Sequence, residues 1–305
     1  MGRWFESITA HHNRMFNNDN LKLKFKSFLK IYNSRPIKEN TCGMRIDHSF
    51  AVYCLLKKIK PTNVIESGVW RGQTTWLIRN TLKKTNIFSI DIDLSNRKII
   101  YDDVSYYDKD ISKISWHKLN KSKTLIIFDD HVCFSKRIGF LLKNNFKHII
   151  FDDNLPNGFT PYYTPKIIYE KKYLIKKRFI KYYNLKRLIK FLINFYLFGN
   201  KKKLNLKFNK SFLKVIYPPK INTKLNKLFK KFINKTEIYF EFPPLIKFNL
   251  KKRFKKLIKV FGENVKEEDY NVKKPISNLK ELKVNKSLYS EFNQQYASIC
   301  YVKLK

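Results

Sequence analysis

Five short apolar runs in the first half of this chain each give way to a carboxylate. Asn63-Val64-Ile65 ends on Glu66, Ile87–Ile90 on Asp91, and Val104–Tyr107 is followed by Asp110. Leu125–Phe128 leads into Asp129-Asp130-His131, and His148–Phe151 into Asp152-Asp153-Asn154. Helical patterns over Gln73–Leu82 and Cys133–Leu142 separate some of them. Runs of this length alternating with helices read as parallel βαβ units whose strands are buried on both faces. In an open α/β sheet, ligands bind beyond the C-terminal strand ends. Carboxylates gathered along that rim repel one another unless something cationic sits among them.

Two helices precede the first run. Leu21–Tyr32 is amphipathic and ends before Pro36. His48–Ile59 carries Phe50, Ala51, Cys54, Leu55 and Ile59 at helical spacing, stops at Pro61 and is read as capped by Asp47. Late in the chain, Glu237–Phe242 reads as a strand, and Ala297–Leu304 as a strand returning antiparallel to the sheet. The organisation read from these elements is a helical extension over 1–40, a Rossmann-like core over 41–165, a lysine-rich helical insertion over 166–235, and a C-terminal part over 236–305 that rejoins the core.

Charge marks the insertion. Lys and Arg number 64 against 24 Asp and Glu, a net +40. Residues 1–165 hold 27 basic and 15 acidic residues, and residues 166–305 hold 37 and 9. Residues 166–235 alone carry 22 basic residues and one acid, Glu170. Three readings stand for this segment: a solvated surface shaped by Lys- and Asn-rich composition, an interfacial helix with Phe191, Leu192, Phe195, Tyr196 and Leu197 facing an anionic membrane, or a nucleic-acid surface. The cysteines Cys42, Cys54, Cys133 and Cys300 form no CxxC pair and read as reduced core thiols. Residues 1–16 contain no apolar signal segment, and Phe191–Gly199 is too short to span a bilayer. The expected location is therefore cytoplasmic, with peripheral membrane attachment as the variant.

Glu66-x-Gly68-x-x-x-Gly72-x-Thr74-Thr75 is a glycine turn between a strand and a helix. Glycine lets the backbone turn sharply, and the helix start presents free N–H groups. The GxGxxG dinucleotide pattern is absent, and an acid at the strand end favours an ammonium over a pyrophosphate. Asp91, 23 residues after Gly68, sits where an acid takes ribose hydroxyls, and Asp110 is placed to meet an adenine amine. An amino-acid-bearing nucleoside satisfies all three acids, and S-adenosylmethionine is such a ligand.

Together, VIESGVWRGQTTWLI, SIDID, TLIIFDDH and HIIFDDN resemble the class I S-adenosylmethionine-dependent methyltransferases. The pattern is closest to the metal-dependent small-molecule O-methyltransferases, a group that includes catechol O-methyltransferase, macrocin-type sugar enzymes and cephalosporin hydroxylase-like proteins. The resemblance covers about residues 45–160, with a terminal strand near 297–304. It implies a doubly wound, mostly parallel sheet. It implies that Glu66, Gly68, Gly72 and Thr74 hold the methionine part of the cofactor, that Asp91 takes the ribose, that Asp110 and Asp129 border the nucleoside, and that Trp70 packs beside it. Asp130, Asp152 and Asp153 would bind Mg²⁺ or another divalent ion, with Asp129 the alternative to Asp130. Such a metal would lower the pKa of a substrate hydroxyl and aim it at the methyl group. Asp130, His131 and Lys136 are the catalytic candidates. His131 is read as a hydrogen-bonding support. Lys136 is the lysine nearest to Cys133, which stands where catechol-type enzymes carry their base.

The expected activity is O-methylation of a hydroxylated small molecule or sugar. Two other classes stay open: a nucleic-acid methyltransferase using the basic insertion, and a binding module that kept the fold without the chemistry. Base methylation usually uses an Asn/Asp-Pro-Pro-Tyr/Phe segment after the fourth strand, and Asp129-Asp130-His131-Val132 does not match it.

Overall fold

The computed structural model describes residue 16 and residues 18–155, 163–171, 221–246, 274–282, 284–285, 288, 291 and 298–305. The basic helices expected over 172–220, including the lipid-facing set at 191–197, lie outside the described residues.

Seven strands form one sheet: β1 Asn63–Ser67, β2 Asn86–Ile90, β3 Val104–Tyr107, β4 Thr124–Phe128, β5 His148–Phe151, β6 Thr236–Glu241 and β7 Cys300–Leu304. Their order is β3-β2-β1-β4-β5-β7-β6. Strands β1 to β5 pair in parallel, and β7 runs antiparallel to both β5 and β6. This is the Rossmann-like, doubly wound, mostly parallel sheet that the sequence reading expects. The chain steps outward from β1 through β2 to β3, then returns to β4 on the other side of β1. That reversal opens a crevice at the C-terminal ends of β1 and β4.

Among the described residues, seven helices accompany the sheet: α1 Asn18–Tyr32, α2 Ile46–Ile59, α3 Gln73–Thr81, α4 Phe134–Asn144, α5 Pro165–Tyr169, α6 Thr223–Lys235 and α7 Leu279–Leu282. Side chains alternate across each strand, so the sheet serves two cores. Val64, Leu125, Ile127 and Ile150 pack with Phe25, Phe28, Phe50 and Leu55 of α1 and α2. Ile65, Ile126, Phe128, Ile149 and Phe151 pack with α4, α5 and α6 through Phe134, Ile138, Ile167, Phe229 and Phe232.

Two details differ from the sequence reading. Helix α2 starts at Ile46 behind Arg45, which makes no side-chain cap, and Asp47 is buried inside its first turn. The cap assigned to Asp47 is thus replaced by a buried carboxylate. Cys42 is exposed, whereas Cys54, Cys133 and Cys300 are buried free thiols. Helix α6 buries Leu225, Phe229 and Phe232, and the Phe232 ring meets Phe134 of α4 at 5.1 Å. Full burial of each phenyl ring is worth about 2–3 kcal/mol. This part of the basic segment therefore spends its apolar face on the protein core and turns its lysines outward. No helix among the described residues is long and apolar enough to cross a membrane.

Candidate active site at the carboxyl rim

The turn after β1 passes close against the residue that follows β4. Gly68 has φ of +101°, and a Cβ there would lie 2.2 Å from the Asp129 carbonyl oxygen. Only glycine fits both the dihedral and the approach. Gly72, with φ of +87°, starts α3 without any side-chain cap, which leaves helix N–H groups for a ligand.

Glu66 lies beneath this turn and is fully buried. Its Oε2 accepts the hydroxyls of Thr75 and Ser89, each at 2.6 Å. Burial dominates and pushes its carboxyl up to about 7, against the lowering effect of those two hydroxyls. Its Oε1 is buried without a partner, as are the side-chain nitrogen and oxygen of Gln73 in the first turn of α3. Buried polar atoms are normally satisfied, so three orphans on one strand–turn–helix unit call for a ligand. Thr74 is also buried in that first turn. Gln73 was missed in the sequence because glutamine carries no motif value; its burial next to the turn is what exposes it. Thr75 stood in the motif, but its bond to Glu66 was not legible there.

Asp91 closes the turn from β2. Its Oδ2 accepts the backbone N–H groups of Val69 at 2.9 Å and Trp70 at 3.1 Å. The acid expected to take ribose hydroxyls thus shapes the turn. Trp70 is in the left-handed region at φ of 49°, and its indole N–H donates to the Thr41 carbonyl at 3.0 Å.

At the ends of β4 and β5 the expected acids converge. Asp129, Asp130, His131, Asp152 and Asp153 line one cleft, together with Phe128, Phe134, Arg137 and Tyr163. His131 Nδ1 lies 2.7 Å from Asp153 Oδ2. Both residues have left-handed backbones, φ of 52° and 54°, a local strain that tends to collect at functional sites. Burial works against a charge on His131, but Asp153, then Asp129 and Asp152, outweigh it and raise the imidazole to about 10. Asp129 is raised well above the carboxylate range by burial first and then by Asp152 beside it.

Three residues around the rim revise the sequence reading. His48 of α2 reaches Asp152, with Nδ1 2.5 Å from Oδ1. Its Nε2 accepts the Ser298 N–H at 3.2 Å, which places the ring proton on Nδ1, facing the carboxylate. Lys136 is exposed on α4 and does not line the cleft, so the structure does not bring this candidate base to the site. One residue on, a turn of about 100° around the helix, Arg137 is buried and faces the acids. Asn154 anchors backbone instead of a ligand: its Oδ1 accepts the Lys166 N–H at 2.8 Å and its Nδ2 donates to the Tyr239 hydroxyl at 3.0 Å.

The divalent ion implied by the resemblance does not fit this donor set. Asp130 Oδ2 accepts Ser67 Oγ at 2.6 Å and pairs with Arg137 Nη2 at 2.7 Å, and its Oδ1 accepts the Val132 N–H at 3.1 Å. Asp152 and Asp153 each face a histidine. No group of three His, Cys, Asp or Glu among the described residues is arranged to hold a metal. Of the three acids named for the metal, Asp130 has its oxygens engaged by Ser67, Val132 and Arg137, while Asp152 and Asp153 pair with His48 and His131.

No known protein family and no curated protein matches the chain. Among solved structures, cmcI-N160 with SAH is 18% identical, covers 40% of this chain and 68% of its own, and has a TM-score of 0.31. The SAH-bound methyltransferase PaMTH1 of Podospora anserina is 11% identical over 50% of this chain and 70% of its own, at 0.32. The plantazolicin methyltransferase BpumL, with a pentazolic desmethylPZN analog and SAH, is 13% identical over 94% and 98%, at 0.33.

Proposed function

We propose that the chain is an S-adenosylmethionine-dependent methyltransferase acting on a hydroxyl of a small molecule, sugars among the candidates. The observation that carries this reading is the set of unpartnered buried atoms, Glu66 Oε1 and the Gln73 amide, on the unit that forms the glycine turn. They fit the polar amino-acid end of the cofactor, while the uncapped start of α3 suits its carboxylate. S-adenosylmethionine supplies an electrophilic methyl group on a sulfonium centre. Asp91 and Asp110 border the nucleoside. His131 and Asp153 line the cleft where an acceptor oxygen would sit. If an acceptor oxygen took that methyl group from the sulfur, its proton would pass to a carboxylate of the Asp152–Asp153 cluster. The cationic imidazole of His131 steadies the charge on the oxygen. Positioning supplies much of the rate, and no step is routed through a metal.

Calorimetric titration with S-adenosylmethionine tests this. Saturable binding that is weakened at least about tenfold by Gln73→Ala is the expected outcome. Absence of binding to the folded chain refutes the reading. Binding without methyl transfer to any hydroxylated acceptor favours the binding-module alternative.

We further propose a polyanion partner on α6. Lys227, Lys230, Lys231, Lys235 and Lys305 line one open groove, and the α6 sequence contains no acid. Lysines four apart repel along a helix, so their alignment costs stability unless an anion meets them. The groove closes at Lys305, beyond β7, at the sheet edge opposite the carboxylate rim. That placement suits a docking surface better than an acceptor channel, and so favours the small-molecule reading over nucleic-acid methylation.

A further inference from the structure

We propose that the Arg137 guanidinium is the resident cation of the carboxylate rim, in the place where the resemblance puts a divalent metal. The rim's catalytic meaning rests on the methyltransferase reading above; the cation assignment rests on geometry alone.

Arg137 extends from α4 with its side chain 5% exposed. Its Nη2 holds Asp130 at 2.7 Å and its Nη1 holds Asp110 at 3.0 Å. Those two acids follow different strands, β4 and β3, so one planar group ties two strand ends together. The guanidinium also sits 5.5 Å from the centre of the Phe128 ring, which helps fix its plane. Asp110 is kept below the usual carboxylate range by Ser112 and Arg137, against the opposing cost of its burial.

Mg²⁺ needs carboxylate lone pairs at roughly 2.0–2.1 Å in near-octahedral order. At Asp130 they are taken by Ser67, Val132 and Arg137. Admitting a metal would mean displacing a buried guanidinium and leaving it unpaired, which is strongly unfavourable. Arginine keeps its charge at any working pH and grips carboxylates with a rigid fork, so it offsets Asp110 and Asp130 permanently. Its Nε is buried without a partner, which leaves one donor for a bound ligand. Arg137 is thus a positioning residue for Asp110 and Asp130, and chelators are not expected to affect the site.

Manganese titrated into the full chain and followed by water-proton relaxation tests this. The wild type is expected to show no saturable binding up to about 1 mM. Arg137→Met releases both carboxylates and is expected to gain one site, with affinity at least roughly tenfold above any in the wild type. A saturable wild-type site that disappears in Asp130→Asn overturns the proposal, as does a folded Arg137→Met that binds no manganese. A second readout needs no variant: the wild-type melting temperature is expected to be the same in about 5 mM EDTA and about 5 mM Mg²⁺, and a rise with Mg²⁺ overturns the proposal. None of these readouts uses S-adenosylmethionine, so failure of the cofactor titration is a separate result.

Discussion

Gly68 and Glu66 show how single side chains set the terms of the crevice. A methyl group at Gly68 would meet the Asp129 carbonyl at 2.2 Å on a left-handed backbone. Gly68→Ala is expected to cost about 3 kcal/mol or more, because steric conflict adds to the dihedral strain; urea unfolding midpoints measure it. Glu66 makes the opposite point, since its chemistry is hidden by burial. Its carboxyl is raised from 4.5 to about 7, so between those values the folded chain holds a proton that the unfolded chain has released. Stability therefore falls as pH rises through that window, by up to about 3 kcal/mol from this group. Glu66→Gln keeps an acceptor for Thr75 and Ser89 while removing the titration. Its stability curve between pH 4.5 and 7 is expected to be flatter than that of the wild type. Equal slopes would show that Glu66 is not the group responsible.

Helix α4 carries the lesson at the level of elements. Its apolar positions were legible from spacing, and its observed bounds lie within two residues of the expected ones. Which of its cations faces the acids was not. Lys136 and Arg137 are adjacent in sequence, yet Lys136 is exposed and Arg137 buried. Lys136→Ala is accordingly expected to change stability by less than about 0.5 kcal/mol and to leave S-adenosylmethionine affinity unchanged. A loss of binding in that variant would return Lys136 to the site. Helix α2 adds a similar case: periodicity identified it, but its delivery of His48 to Asp152 depends on β5 and on the Ser298 backbone, 250 residues away.

Among the described residues, charge gathers in two separate places. Acids meet at the C-terminal rim of the parallel strands, where Arg137 pairs with Asp130, His131 with Asp153 and His48 with Asp152. Lysines line the groove on α6 and at Lys305. If that groove takes a single-stranded polyanion, Lys227→Ala with Lys231→Ala is expected to lower the slope of log affinity against log salt by about 0.7 for each lysine in contact. Fluorescence anisotropy with a labelled oligonucleotide at several salt concentrations reads it, and an unchanged slope removes this surface as the docking site.

The strands, their acids and the glycine turn could be read directly because they are local patterns: apolar runs of strand length, a residue that tolerates positive φ, and an acid at or shortly after the end of each run. β7 could be read as a strand for the same reason, though its insertion between β5 and β6 could not. Partnership is the part that local pattern leaves open. Whether Asp130 faces a metal or Arg137, whether Asp152 faces His48, and whether the Gln73 amide is satisfied all depend on side chains brought together from distant segments. Burial then decides the strength of each contact, because a charge or amide that water would have screened must instead find its counterpart in the protein or in a ligand.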